Sequence, residues 1–462
     1  MSKKLEPTKS APGIMSVDTA AWVRTVRETV ESVVIAFILA FMFRTFEAEA
    51  FVIPTGSMAP TLQGRHKDIV CPQCGYEYRA GASEEVERES GALKEEKNRD
   101  TGVLQPACPM TFATCPMCRY TVGVDSTEYP SYNGDRIIVN KFAYSVSDPQ
   151  RWDVVVFKYP QNSKENYIKR LVGLPNEHIE LHKGDVYVAP SGSDKLQIAR
   201  KPPEKLAYTL QPVYNNDYVV PKLIQAGMPP RWQPWTPTGT PSPWKTSEDF
   251  KSFSADETAP GTAWLRYQHL LSDEAIWDDV KQRRPFQPPP PSLIRDYYAY
   301  NEGEFPDHCD RSPPATSVWV GDLALECTVN VKKAAGLVIL ELVKGGRQFR
   351  SQIDLNTGEA RLSISGKQDF GPSAKTAIHG PGSYELRFAN VDEQLLLWVN
   401  NTLIDFNAPT TYDDLKNNVP VQVRPVTGAE TPTDLSPVGI AVQDGASVDV
   451  SHLNIRRDIY YL

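Results

Sequence analysis

The sequence predicts a mainly β protein with one N-terminal apolar helix and a C-terminal two-sheet sandwich. Three observations carry this. Residues 33–43 read VVIAFILAFMF without a break. Residues 132–192 return β-branched runs cut by Pro, Gly and Asn, the pattern of strands and turns. Residues 317–462 alternate apolar and polar in many short segments, as strands with one buried face do. The length of 462 residues suggests about three folded units at ~150 residues each. With 40% apolar and 23% charged residues, the chain is not disordered throughout, collagen-like or a polytopic membrane protein. A net charge of -8 argues against a nucleic-acid binder that relies on bulk positive charge.

Residues 1–29 read as a polar tail carrying Lys3, Lys4, Lys9, Arg24 and Arg27. The apolar segment 30–46 is the short end of a membrane-spanning helix, which needs ~20 residues. Glu31 and Arg44 are placed to reach the two interfaces. As an uncleaved anchor in lipid, it leaves the N-terminus inside and everything after residue 46 outside. A buried core helix competes with this reading. So does a cleaved signal peptide, with Ala48-Glu49-Ala50 as its cleavage site.

Residues 47–70 and 119–192 read as one β-domain interrupted by a Cys-containing insert, 71–118. Within the insert, residues 83–100 are almost all polar, which predicts a solvated loop or short exposed helix. Cys71-Pro-Gln-Cys74 and Cys115-Pro-Met-Cys118 form two C-x2-C knuckles. Tetrahedral zinc takes four thiolates from such a pair, so these four residues are the candidate structural metal ligands of a zinc-ribbon-like insert. Disulfides are the alternative in an oxidising compartment. Cys108 reads as a spare, Cys309 and Cys327 as unpaired, and His66 as a surface residue.

Residues 193–462 open with a Pro- and Trp-rich stretch, including Pro288 to Pro291, read as loops of a β-domain. The sandwich text follows. Leu323, Leu325, Cys327, Val329 and Val331 point one way, as do Tyr384, Leu386 and Phe388 and then Leu395, Leu397 and Val399. Lys344-Gly345-Gly346-Arg347 is a hairpin signal.

The chemistry centres on two residues. A Ser hydroxyl is a weak nucleophile until a base takes its proton. Ser57 lies in Pro54-Thr55-Gly56-Ser57-Met58, where Gly56 lets backbone approach a substrate closely. Lys169 lies in an apolar, strand-like run. Burial there lowers a lysine's pKa and makes its neutral amine a base.

Residues 51–62 (FVIPTGSMAPTL), 134–144 (GDRIIVNKFAY), 151–160 (RWDVVVFKYP) and 167–175 (YIKRLVGLP) resemble, in order, the boxes of bacterial type I signal peptidase. The resemblance implies a signal-peptidase-type β-fold. It also implies a Ser–Lys dyad protease of the bacterial cytoplasmic membrane, with its catalytic domain outside, that removes signal peptides from exported preproteins. Carried over by motif, Ser57 is the nucleophile and Lys169 the general base. Thr55 and the Ser57 N–H form the oxyanion hole. Ile53, Pro54, Met58, Tyr167 and Ile168 line pockets for small residues, which selects Ala-x-Ala. No cofactor serves catalysis.

Three departures stand out. Trp152 and Asn176 occupy positions where the family has Gly. The last box, of the type G-D-N-x-x-x-S-x-D-S-R, is missing, which implies either a truncated product or a diverged relative. The C-terminal stretch SYELRFANVDEQLLLWVNNTLIDF resembles concanavalin A-like or laminin-G-like jelly rolls. That likeness implies a glycan or envelope ligand, with a structural or docking role as the alternative. A membrane-tethered, non-catalytic binding protein is therefore the competing function. A self-cleaving repressor relative is a third, disfavoured by the anchor and by the lack of a DNA-binding module.

Overall fold

The computed structural model describes residues 19–46, 48–87, 92–97, 102, 104–124, 128–235, 242–256, 261–306, 309, 317–413, 415–416, 419–420, 423–428 and 432–462. Lys3, Lys4 and Lys9 of the expected tail lie outside the described residues. The chain divides into two compact units, Met1–Phe51 with Arg136–Pro149, and Val52–Asp135 with Gln150–Leu462.

The first unit is a helix and a small sheet. The helix runs Thr19–Phe46, so it begins well before the expected start at residue 30. Arg27 Nε lies 2.7 Å from Glu31 Oε1 one turn on, an exposed ion pair. From Val33 to Met42 every large apolar side chain is exposed, Phe41 by 67%. Among the described residues no helix is long and apolar enough to cross a membrane. Arg27, Glu28 and Glu31 interrupt the apolar text on the N-terminal side. The strand Ala48–Val52 pairs with Arg136–Asn140.

In the second unit, the loop that carries Ser57 is fixed from below by Gly134-Asp135. Ile53 N donates to Asp135 O at 2.9 Å, and Gln63 N to Asp135 Oδ2 at 2.8 Å. Gly134 is needed there, since a Cβ would lie 2.1 Å from Ile53 O. The strands His66–Val70 and Glu77–Gly81 pair antiparallel and lead into the Cys insert. That insert is less solvated than expected. Glu85 is buried and lies 3.3 Å from the equally buried Lys67 Nζ, because a buried cation needs a charged partner. His66 is also buried, its Nδ1 2.8 Å from Gly64 O. Two antiparallel hairpins follow, Val154–Tyr159 with Asn162–Arg170 and Glu177–His182 with Asp185–Pro190.

The rest of this unit is a two-sheet antiparallel sandwich. One sheet is ordered Trp244–Thr246, Phe253–Asp256, Ser447–Arg457, Leu323–Val331, Gly382–Val391, Gln394–Val399, Thr402–Leu403, with Gln211–Asn215 also paired to Ser447–Arg457. The other is ordered Trp232–Trp235, Thr262–Tyr267, Val438–Gln443, Leu337–Lys344, Arg347–Asp354, Glu359–Ile364, Ser373–Lys375. The alternating residues between 323 and 399 form its core, with Cys327 among them. Fully burying each large apolar side chain contributes about 1.5–3 kcal/mol. Lys344 faces Arg347 across Gly345 and Gly346, whose φ values of 61° and 72° suit a tight two-residue turn. The Pro/Trp-rich stretch is not loop alone. Trp232, Trp244, Phe253 and Tyr267 lie on strands of the two sheets and pack in the same core.

Candidate active site and thiolate cluster

Ser57 lies within the turn closed by Ala59 N donating to Gly56 O at 2.9 Å. Lys169 lies near the end of Asn162–Arg170, opposite Val155 in the register. The structure brings the two together, with Lys169 Nζ donating to Ser57 Oγ at 2.9 Å and to Ile168 O at 3.0 Å. Both side chains are exposed, which corrects the expectation of a buried lysine. The reason is the small sheet. Asn162–Arg170 pairs, among the described residues, only with Val154–Tyr159. Partial desolvation still lowers the Lys169 pKa below the ordinary lysine value. A neutral amine at this distance can accept the hydroxyl proton as the oxygen attacks a carbonyl.

The other expected site residues divide. Thr55 is half-buried, its backbone so close to Gly64 that a Cβ there would lie 2.3 Å from the Thr55 carbonyl carbon. Ile53 and Met58 are buried, 2% and 7% exposed, whereas Pro54 is exposed. Tyr167 and Ile168 are half-buried. Tyr167 stacks on Tyr159 with centroids 4.5 Å apart. Arg170 reaches Trp152 O at 3.4 Å and Thr61 Oγ1 at 3.3 Å.

Both departures from glycine fall on left-handed backbone. Trp152 has φ 72° and Asn176 φ 61°. A bulky residue there carries about 1–3 kcal/mol of strain. The 3%-exposed Trp152 offsets it by packing, with Nε1 donating to Arg200 O at 3.0 Å and Tyr461 5.8 Å away.

Sequence reasoning missed Tyr300. It belongs to the 3-10 turn Ala299–Asn301, and its hydroxyl donates to Arg65 O at 3.1 Å. A cleft of about 770 Å³ opens beside it, with Gly56, Ser57 and Ala59 on one wall and residues of the 296–305 segment on the other. A Tyr-rich stretch next to four prolines carries no periodic signal that would place it beside a nucleophile 240 residues away.

Cys71, Cys74, Cys115 and Cys118 converge within 4.8 Å of one another. The knuckles repeat one geometry: Gly75 N donates to Cys71 O, and Arg119 N to Cys115 O, each at 2.9 Å. Gly75 has φ 74° and Arg119 φ 59°, so Arg119 takes a glycine-like turn. The Cys71–Cys118 and Cys74–Cys115 sulfurs are 3.5 and 3.6 Å apart. That is too long for a disulfide at ~2.05 Å. It is close to the edge of a tetrahedron with metal–sulfur bonds of ~2.3 Å. The donor set fits zinc. Cys108 is not a spare and Cys309 is not unpaired, because the two form a disulfide across 201 residues. No spacing rule links cysteines so far apart in sequence.

A serine hydroxyl hydrogen-bonded to a lysine amine has the two parts that a base-activated nucleophile needs. Comparison with known proteins matches part of the chain to a family. The family described as signal peptidase, peptidase S26, matches residues 26–89 and 104–222. The chain is 47% identical over 62 residues to signal peptidase I of Pseudomonas aeruginosa, covering 11% of this chain and 22% of that protein. It is 43% identical over 61 residues to signal peptidase I of Aquifex aeolicus, covering 13% and 24%. It is 36% identical over 84 residues to a probable signal peptidase I-2 of Synechocystis, covering 17% and 37%. The matched part thus spans well under two thirds of these relatives. These findings support the peptidase S26 signal peptidase I family for the N-terminal part of the chain.

Among solved structures, a Bacillus subtilis carbohydrate binding module is similar at TM-score 0.26 and 11% identity, over 49% of this chain and 94% of that one. A Caenorhabditis elegans galectin is similar at TM-score 0.20 and 12% identity, over 30% and 91%.

Proposed function

We propose that this protein is a membrane-anchored serine endopeptidase that cleaves signal peptides from exported preproteins after Ala-x-Ala. The observation that carries the reading is the 2.9 Å contact between Lys169 Nζ and Ser57 Oγ. Ser57 is the nucleophile. Lys169, deprotonated, takes its proton and later returns it to the leaving amine. Thr55 and the Ser57 N–H stabilise the oxyanion. The open edge of Asn162–Arg170 lets the substrate add as a strand, so that main-chain bonds align the scissile carbonyl. Ile53, Pro54, Met58, Tyr167 and Ile168 select small side chains. The continuous apolar run 33–43 within Thr19–Phe46, exposed from Val33 to Met42, supports an anchor in the bacterial cytoplasmic membrane, N-terminus inside. Cys71, Cys74, Cys115 and Cys118 would hold zinc as a structural group that ties the two knuckles together.

The test is cleavage of a detergent-solubilised Ala-x-Ala preprotein by the full chain, beside Ser57→Ala and Lys169→Ala. Cleavage by the parent and none by either variant is the expected result. An uncut preprotein, with a control peptidase active, sinks the reading.

One observation favours a second reading, a tethered glycan-binding protein. A cleft of about 310 Å³ on the sandwich face is lined by Glu326, Arg387, Asn401, His452 and Asn454. Glu326 accepts from Arg387 Nε at 2.8 Å and Asn454 Nδ2 at 2.7 Å, which holds planar polar groups ready for hydroxyls. Retention on immobilised polysaccharide that survives Ser57→Ala and is lost in Arg387→Ala would support it.

A further inference from the structure

We propose that Thr61 is a positioning residue of the Ser57–Lys169 pair, its hydroxyl fixing the nucleophile turn to the strand that carries the base; this rests on the peptidase reading. Thr61 Oγ1 accepts from Arg170 Nη2 at 3.3 Å and donates to Tyr208 O at 2.6 Å. A hydroxyl carries one proton and two lone pairs, so both bonds form at once. Among the described residues Thr61 Oγ1 bonds neither Ser57 nor Lys169. It acts through their neighbours.

On the serine side, Ala59 N donates to Gly56 O at 2.9 Å and Leu62 N to Met58 O at 3.0 Å. These overlapping turns tie residues 56–62 together, so holding Thr61 holds Ser57. On the lysine side, Arg170 is the next residue of the strand Asn162–Arg170. Successive side chains of a strand leave by opposite faces. Lys169 therefore meets Ser57 on one face while Arg170 meets Thr61 on the other, and the turn straddles the end of the strand. Among the described residues the Arg170 guanidinium bonds Thr61 Oγ1 and, at 3.4 Å, Trp152 O.

The third contact comes from beyond the four boxes. Tyr208 follows the short helix Pro203–Leu206. Lys205 of that helix lies 2.6 Å from Asp153 Oδ1, and Leu206 and Leu210 pack with Ala389 and Trp398 of the sandwich. The sandwich thus sets where Tyr208 O stands, and Thr61 passes that position to the dyad. A general base must lie within about 2.6–3.2 Å of the group it deprotonates. The 2.9 Å contact of Lys169 with Ser57 leaves the turn little room to drift.

The test uses the full chain in detergent, a peptide containing Ala-Gln-Ala, and Thr61→Val, which keeps the shape and loses the hydroxyl. kcat should fall about tenfold with KM changed less than about twofold. Thr61→Ser keeps the hydroxyl and should stay within about threefold of the parent. Arg170→Gln removes the same bond from its other end; it should also lower kcat, and should add little to Thr61→Val. A second arm needs no cleavage. In Ser57→Cys the thiol beside Lys169 should titrate below the ordinary ~8.5, read as the pH dependence of iodoacetamide labelling at that position. Adding Lys169→Ala should restore the ordinary value. Adding Thr61→Val should move the thiol toward it, and adding Thr61→Ser should not. A parent-like kcat or an unmoved thiol in Thr61→Val overturns the proposal. So do equal losses in Thr61→Val and Thr61→Ser, or additive losses with Arg170→Gln. If the parent cuts no peptide, the peptidase reading fails by itself, and the thiol arm still decides the role of Thr61.

Discussion

Tyr300 lies directly on Gly56: a Cβ at Gly56 would sit 2.1 Å from Tyr300 Cε1, and one at Gly81 2.6 Å from the same atom. The ring is wedged between the nucleophile turn and the strand Glu77–Gly81. It is 3% exposed, so it cannot swing aside. Gly56→Ala must displace either the ring or the turn that carries Ser57. A shift of ~1 Å in a nucleophile can cost about 100-fold, and that is the loss in kcat/KM expected. In Gly56→Ala with Tyr300→Ala the clash is gone, so the two substitutions should be strongly non-additive. Additive losses in that cycle would mean the contact does not set the geometry of Ser57.

The pH dependence follows from Lys169. Its pKa is lowered from 10.5 by partial desolvation. The neutral amine is the active form, so kcat/KM should rise with pH and level off below 10.5. A substrate strand laid over the exposed amine removes more water, which lowers the pKa further. The kcat profile, which reports the bound enzyme, should therefore level off at lower pH than the kcat/KM profile. A pair of profiles levelling off in the opposite order would contradict Lys169 as the base.

Metal analysis of the purified chain should find one zinc per chain, held by Cys71, Cys74, Cys115 and Cys118. Cys115→Ser should lower the zinc content and the unfolding temperature, since metal affinity contributes folding energy. Peptide cleavage assayed well below that temperature should persist. Thiol titration of unfolded protein should count five free thiols in the absence of reductant, these four and Cys327, with Cys108 and Cys309 paired. A count of one would mean that the knuckles are oxidised to disulfides and hold no metal.

Local patterns carried most of what could be read without coordinates. The Cys knuckles are visible because a metal turn needs two cysteines three residues apart. The Gly345-Gly346 hairpin is visible because its φ values suit glycine. The sandwich strands after residue 323 show because one face of each is buried. Ser57 and Lys169 are visible only through their flanking motifs, since neither a loop serine nor a strand lysine has a pattern of its own. What stayed hidden is long-range. Tyr300 meets Gly56, Cys108 meets Cys309, and Trp232 and Trp244 join two different sheets that also hold strands about 200 residues further on. The apolar run around Lys169 reads as burial, because such a run indicates a strand but not how many neighbours that strand has.

The same limit hid Lys201, where one buried cation joins three stretches of the chain. Its Nζ lies 2.7 Å from Asp392 Oδ1 and 2.7 Å from Asp458 Oδ2, and its N–H donates to Asp392 Oδ2 at 2.8 Å. All three side chains are at most 4% exposed. Burial alone would lower the lysine's pKa, but the two carboxylates beside it raise it. Burial likewise pushes Asp458 up to about 6 even with the lysine present. Lys201→Ala would leave two buried carboxylates without the lysine that bridges them, a loss of about 3–5 kcal/mol. The pH dependence has a definite sign. A carboxyl whose folded pKa exceeds its unfolded value binds more protons when folded, so stability falls as pH rises through that window. In the parent the window for Asp458 runs from the ordinary 3.8 to about 6. Without Lys201 it should extend to higher pH, so urea unfolding of the variant should show the deficit growing between pH 5 and 8 on the order of 1 kcal/mol or more. Adding Asp392→Asn and Asp458→Asn should flatten that dependence. A Lys201→Ala chain as stable as the parent at pH 8 would show that water, not the lysine, satisfies the two carboxylates.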